Sequence, residues 1–268
     1  MNDTLRIIPL GGLGEVGKNM TVYEMGDEII VVDAGLAFPR DEHLGVDLLL
    51  PDIGYLAGRR VRAVVLTHGH EDHVGGLPYL LREVDVDSVI ATPLTLALVK
   101  SKLDEHGLGQ KAELVAAEPG DTPLELGPFR VELVRVAHSI PDAVAIVLET
   151  PGGRIVHTGD YKMDHTPVDG LRTDVGRLAE LGNRGVDLFL GDSITRAAES
   201  GIECATRTSS TRNGPSSSGS SPGEAAISSD FCASPCSSSF DFTSASVSGV
   251  AMTDSTSTSR RRYGSPPT

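Results

Sequence analysis

Ala63-Val64-Val65-Leu66-Thr67-His68-Gly69-His70-Glu71-Asp72-His73 is the stretch whose reading decides the fold. Its opening apolar run reads as a buried strand that ends at Thr67. The residues after it pack imidazoles and carboxylates onto a short loop at the strand end. A sheet holds such a loop rigid while the loop still faces an open cleft. A mixture of imidazole and carboxylate suits zinc or manganese. His68 and His70 are two apart, so on extended backbone they point the same way. Asp72 and His73 follow a change of direction and are expected to reach a second ion. Two cations about 3.5–4 Å apart can clamp a phosphoryl group from both sides. The plain alternative is a polar loop with surface histidines, and this ligand order speaks against it.

Outward from this segment the chain reads as two groups of strands with helices between them. Leu5–Leu10, Asn19–Met25 and Glu28–Val32 read as strands, the last two joined by the hairpin signal Gly26-Asp27. A helix is expected after the hexapeptide, then a short strand over Ser88–Ala91 and an amphipathic helix over Thr95–Glu105 that stops at Gly107. Phe129–Val136, Ala143–Thr150 and Arg154–His157 read as strands, Val175–Leu181 as helix and Val186–Leu190 as a buried strand. This order fits an α/β fold of two sheets covered by helices.

Composition changes near Gly201. Of the serines, five lie in residues 1–201 and twenty in 202–268, and the second stretch has neither His nor Lys. Such a segment is expected to be disordered, because it buries too little apolar surface to offset the entropy of ordering. The net charge of −14 belongs to the front part, since five acidic and five basic side chains balance in the tail. An acidic body with no evident basic stripe argues weakly against a nucleic-acid partner. Bound cations would invert that field at the site itself. Cys204, Cys232 and Cys236 all lie in the tail, so the front part has neither disulfide nor thiolate ligand, and the Cys232/Cys236 pair lacks a second pair to make a zinc site. Met1-Asn2-Asp3-Thr4-Leu5-Arg6 is too polar for a signal peptide. No apolar run is long enough to span a bilayer. A cytoplasmic protein with no membrane association is the expectation.

One motif is a decoy. Gly12-Leu13-Gly14-Glu15-Val16-Gly17 matches the dinucleotide fingerprint, but that fingerprint needs a helix directly after it. The following Lys18-Asn19-Met20-Thr21-Val22-Tyr23 reads as strand, so the glycines are expected to join two strands. Two further residues belong with the hexapeptide. His138 and Asp160 each follow a predicted strand, and strand ends of one sheet converge on one cleft. Taken alone, each would be a packed histidine or a turn aspartate. After the hexapeptide, in this order, both are candidate ligands, and Asp160 has one oxygen for each of two cations.

The pattern of His68, His70, Asp72 and His73 followed by His138 and Asp160 resembles the metallo-β-lactamase fold. Pro9–Met20, Val32–Gly35, Leu66–Gly76, His138–Asp142, Gly159–Asp164 and Leu190–Ser193 resemble the ribonuclease J branch of the β-CASP ribonucleases, over residues 5–194 in order. That resemblance implies a four-layer αββα fold. It also implies two zinc ions, with manganese as an alternative, and hydrolysis of RNA 5′ to 3′ and internally, in RNA decay and maturation. Carried over by motif, His68, His70 and His138 hold one ion, Asp72 and His73 the second, and Asp160 bridges. Asp72, His73 and Asp160 are the residues implied to be catalytic, with RNA as partner and a homo-oligomer as the assembly.

The resemblance stops near Ser193, so the chain divides into 1–194, the N-terminal part of that domain, and 195–268, the serine-rich tail. The family continues with a β-CASP domain and a late histidine ligand, and the last histidine here is His165. Residues 195–268 are read as translation in a shifted frame, in preference to a natural tail on a shortened protein. On that reading the second site lacks a ligand and the chain alone cleaves RNA poorly. The competing functions are a small-molecule thioesterase or lactonase of the same fold, and a non-functional fragment.

Overall fold

The computed structural model describes residues 4–40, 43–192, 202–206 and 240–242. Leu5–Gly11 (β1), Met20–Met25 (β2) and Glu28–Val32 (β3) form an antiparallel meander. Arg60–Val65 (β4) then pairs parallel to β3. Glu71–Val74 (α1) and Leu77–Glu83 (α2) lead to Asp85–Ala91 (β5), and Pro93–Glu105 (α3) leads to Glu113–Ala116 (β6). Both of these crossovers run through helices, the usual connection between parallel neighbours.

Leu124–Leu126 (β7), Phe129–Arg135 (β8), Val144–Thr150 (β9) and Gly153–His157 (β10) make a second antiparallel run. Val175–Arg184 (α4) follows, capped by Asp174 accepting from the Arg177 amide at 2.9 Å, and Leu188–Asp192 (β11) pairs parallel to β10. Ile202–Thr206 (β12) lies antiparallel on β11, and Phe240–Phe242 (β13) lies antiparallel on β1.

Apolar alternation along the strands makes four layers. In β9, Val144, Ile146 and Leu148 meet Ile30, Val32 and Val65 of the first sheet, while Ala145 and Val147 face Leu181 of α4. A strand buried on both faces carries a near-continuous apolar run, and Val144–Leu148 is one. On the far side of the first sheet, Val31, Val64 and Val89 pack under Leu77, Leu80, Leu81, Val99 and Leu103 of α2 and α3. The αββα architecture expected from the sequence is therefore present.

Three details differ from the sequence reading. Asp72 and His73 stand on a single helical turn, α1, and not on an open loop. The strands β6 and β7 were not anticipated, since each is short and carries glutamate among its apolar residues. The stretch after residue 201 was expected to lack regular structure, but β12 and β13 are paired there. The rims of β11 and β1 offer unpaired backbone groups, which an extended segment can satisfy with little demand on its side chains. The rest of that stretch lies outside the described residues.

Phe129, fully buried between the sheets, is a sensitive probe of this arrangement. Phe129→Ala is expected to cost about 3–5 kcal/mol in urea unfolding, whereas Val168→Ala, at a fully exposed position, should stay within about 0.5 kcal/mol of the parent.

Candidate metal centre

Parallel pairing of β3 and β4 brings their C-terminal ends to one rim. Asp33 leaves β3 there, and Thr67 and His68 follow β4. His138 lies three residues past β8, and Asp160 three past β10. Two glycines let these segments close up. A side chain on Gly35 would overlap the carbonyl oxygen of Asp72, and the segment is sewn to α1 by hydrogen bonds from the amides of Ala34 to His73 O (2.7 Å) and Leu36 to Glu71 O (3.1 Å). Gly159 adopts φ 54° against the side chain of Thr67, a position with no room for a Cβ.

All six residues singled out from the sequence come together. His68, His70, His138 and Asp160 each offer a ligand atom within 4.8 Å of the others, and so do Asp72, His73 and Asp160. His70 Nδ1 stands 3.1 Å from His68 Nε2 and 3.2 Å from His138 Nε2. One ring nitrogen carries at most one proton, so a single hydrogen bond cannot account for both contacts. A tetrahedral cation with bonds of about 2.0–2.1 Å places its ligand atoms about 3.3 Å apart, close to this spacing. Asp160 spans both groups: Oδ2 lies 3.3 Å from His138 Nε2 and Oδ1 3.3 Å from His73 Nε2. Asp72 Oδ2 is 3.7 Å from His73 Nε2. The donor set and its geometry therefore suit divalent cations.

Residues not given a role from the sequence orient the imidazoles. Buried Asp33 accepts from the Thr67 amide (2.8 Å), the Thr67 hydroxyl (2.9 Å) and His73 Nδ1 (2.7 Å). With its proton on Asp33, the Thr67 hydroxyl accepts from His68 Nδ1 at 3.0 Å. Both rings are thereby turned so that Nε2 faces the centre, the arrangement in which a partner on the far nitrogen fixes a ligand histidine. Asn19 closes the second group, its Nδ2 3.1 Å from His73 Nε2. Behind them His157 Nδ1 meets the Tyr23 hydroxyl at 2.8 Å, in full burial. Asp33 holds φ 61°, uncommon for a residue other than glycine, which marks it after the fact as functional. In the sequence it falls within the Val32–Gly35 stretch that carries the family resemblance, but without a role of its own.

Electrostatics separates the two groups. Burial pushes His68 far below the ordinary imidazole range, and the neighbouring His73 adds to the fall. Burial also brings His138 down to about 4 against the pull of Asp160. For His73 burial again opposes charge, but Asp33 and Asp160 outweigh it and hold the pKa well above its usual value. In the first group His68 and His138 thus present neutral rings, and the second holds an imidazole set between carboxylates.

Comparison with known proteins agrees with the fold. Residues 13–194 match the family model of the metallo-beta-lactamase superfamily, and the chain belongs to that superfamily. Its curated relatives include ribonuclease J of Helicobacter pylori, 45% identical over 200 residues that make 74% of this chain and 29% of that protein. Ribonuclease J of Thermus thermophilus is 47% identical over 199 residues, 71% of this chain and 35% of the relative, and ribonuclease J2 of Bacillus subtilis is 45% identical over 193 residues. The resemblance to ribonuclease J expected from the sequence is thus borne out. The chain spans about a third of the length of these relatives. A solved structure of a protein of unknown function from Enterococcus faecalis V583 shares the fold, with a TM-score of 0.55 at 18% identity over 72% of this chain and 50% of the other. Among the described residues no helix is long and apolar enough to cross a membrane. The decoy glycines join β1 to β2, with strand and not helix after them.

His157 gives the metal-free protein a pH dependence whose sign follows from its burial. Desolvation lowers its folded pKa to about 4, below the value of 6.5 for an unperturbed ring. Between those values the unfolded chain binds the extra proton, so stability is fully present above about pH 6.5 and is lost as pH falls towards 4, by about 3 kcal/mol. Urea unfolding from pH 7 to 4 should show this slope, and His157→Gln should remove part of it.

Proposed function

We propose that this chain carries the hydrolytic centre of a ribonuclease J-type enzyme, acting on RNA phosphodiester bonds from the 5′ end and internally. The observation that carries the reading is the sharing of Asp160 between two ligand groups, one oxygen turned to each. The identity with curated ribonucleases J supports RNA as the substrate class. His68, His70, His138 and Asp160 would hold one cation, and Asp72, His73 and Asp160 the other. Zinc fits this imidazole and carboxylate set best, with manganese as the alternative. Bound cations supply an activated water and neutralise charge developing on the phosphoryl oxygens.

The chain's own residues do the rest. Asp33 and Thr67 hold His68 and His73 in the tautomers that present Nε2, and Asp160 fixes the separation of the two groups. Asp72, on α1, is carried to the second group by the backbone bonds between that turn and the residues after β3. We assign residues 1–194 to the hydrolase domain and 195–268 to a tail, since the family match ends at residue 194 and the composition turns serine-rich just beyond, near Gly201; within that tail β12 and β13 pair on the rims of the domain's sheets. Reading the coding DNA past codon 193 in three frames tests the tail. A cytoplasmic, homo-oligomeric protein completes the reading, on family resemblance alone.

Among the described residues four donors surround the first position and three the second. Metal analysis after gel filtration should therefore find one firmly held ion and a second lost on dilution. Two ions held equally would contradict that order. With 5′-monophosphorylated RNA as substrate, Asp160→Ala should lower hydrolysis by about two to three orders of magnitude. Asp33→Asn, which touches no cation, should lower metal affinity about 10–100-fold. A protein that leaves RNA intact while turning over thioesters or lactones would overturn the substrate assignment.

A further inference from the structure

A cleft of about 660 Å³ lies against β8 and α4 and is lined by Arg130, Arg135, Arg172, Arg177 and Arg184, with the carboxylates of Asp121, Glu132 and Asp174 beside them. A smaller one, of about 180 Å³, is lined by Arg135, Lys162 and His138 and also by Asp142, Asp164 and Asp169, so it borders both that arginine and a candidate metal ligand. The two share Arg135 as a lining residue. Three of the arginines are tied down. Arg130 and Arg184 bind Glu149, and Arg177 binds Glu132 and Glu180. Arg135 and Arg172 have no carboxylate partner among the described residues, and both border the cleft. In a chain of net charge −14, two guanidinium groups with no carboxylate partner among the described residues, on one cleft, are the reverse of what composition alone suggests.

From this placement we propose that the two clefts form a track for the ribose–phosphate backbone of single-stranded RNA, with Arg135 and Arg172 as its phosphate contacts. The proposal rests on the reading of RNA as substrate and names where the strand runs beyond the centre. A guanidinium offers a planar pair of donors that matches a phosphate, and is more weakly hydrated than an ammonium group. The paired arginines form the wall: they hold α4 on the second sheet and fix the cleft's shape. Lys162, bound to Asp164 at 3.2 Å, sits between the track and His138. Contacts of this kind add affinity without reading sequence, and they release counterions on binding.

The test is binding of a fluorescein-labelled 20-nucleotide single-stranded RNA, with phosphorothioate linkages to resist cleavage, to the full chain across 50–300 mM salt. Arg135→Glu with Arg172→Glu should weaken binding at least tenfold and reduce the slope of log affinity against log salt by about 1.4, two phosphates at about 0.7 each. Arg135→Lys with Arg172→Lys should keep most of the slope, and Arg60→Glu, on the opposite sheet, should leave binding nearly as it was. Thermal unfolding of each variant shows whether it is folded, and if the glutamate pair is not, Arg135→Gln with Arg172→Gln carries the test, with the same loss of slope expected and a retained slope overturning the track. Retained affinity and slope in the folded glutamate pair would overturn the track, as would a parent chain that does not bind RNA at 50 mM salt. Cleavage of unmodified RNA is scored separately. Cleavage with an unchanged slope in the variant sinks the track and leaves the function standing. Arginine-dependent binding without cleavage does the opposite.

Discussion

One buried carboxylate organises the centre. Asp33 accepts from the Thr67 amide, the Thr67 hydroxyl and His73 Nδ1, and is 1% exposed. A carboxylate that deep in the protein is tolerable only when its oxygens are satisfied, and each partner here belongs to the site. The same bonds that satisfy Asp33 decide which nitrogen of His68 and of His73 is left to face a cation. Their loss would free two rings at once, and the backbone of the segment from β4 to α1 would lose its anchor on β3.

That anchor works because β3 and β4 run parallel. Their ends fall at one rim, and the hydrogen bonds between the residues after β3 and the α1 turn continue the pairing past the sheet. The second sheet contributes His138 and Asp160 from the ends of β8 and β10, across a core where Phe129, Ile146 and Leu148 pack against Ile30 and Val65. The distance between the sheets thus sets the distance between ligand groups. Asp160 reports that coupling directly, with one oxygen beside each group.

Charge is distributed unevenly about this frame. Most arginines near α4 are neutralised by Glu132, Glu149 and Glu180, which makes them structural. Such exposed or half-exposed pairs each add little to stability, so their role is to hold a surface in shape. What they leave over is Arg135 and Arg172, which have no carboxylate partner among the described residues, and Arg135 lines the same small cleft as His138.

Much of this was legible in the sequence. Ligand order in the hexapeptide, the strand before it and the separate strand ends at His138 and Asp160 announced the fold and six site residues, because metal ligation demands particular side chains at particular spacings. Alternating apolar residues announced the double-sided strands, since the period of a strand is a local property. Asp33, Thr67, Asn19 and His157 were not legible as functional. Their roles depend on which strands pair and how closely two glycines let the backbone approach. Nor was the arginine cleft, which joins residues from β8, α4 and the segment before α4 that a net charge averages away. The chain by itself determined which chemistry is present; only the packing of two sheets decided which nitrogen faces the centre, which oxygen of Asp160 serves which group, and which arginines remain free, because those depend on distances between residues far apart in sequence.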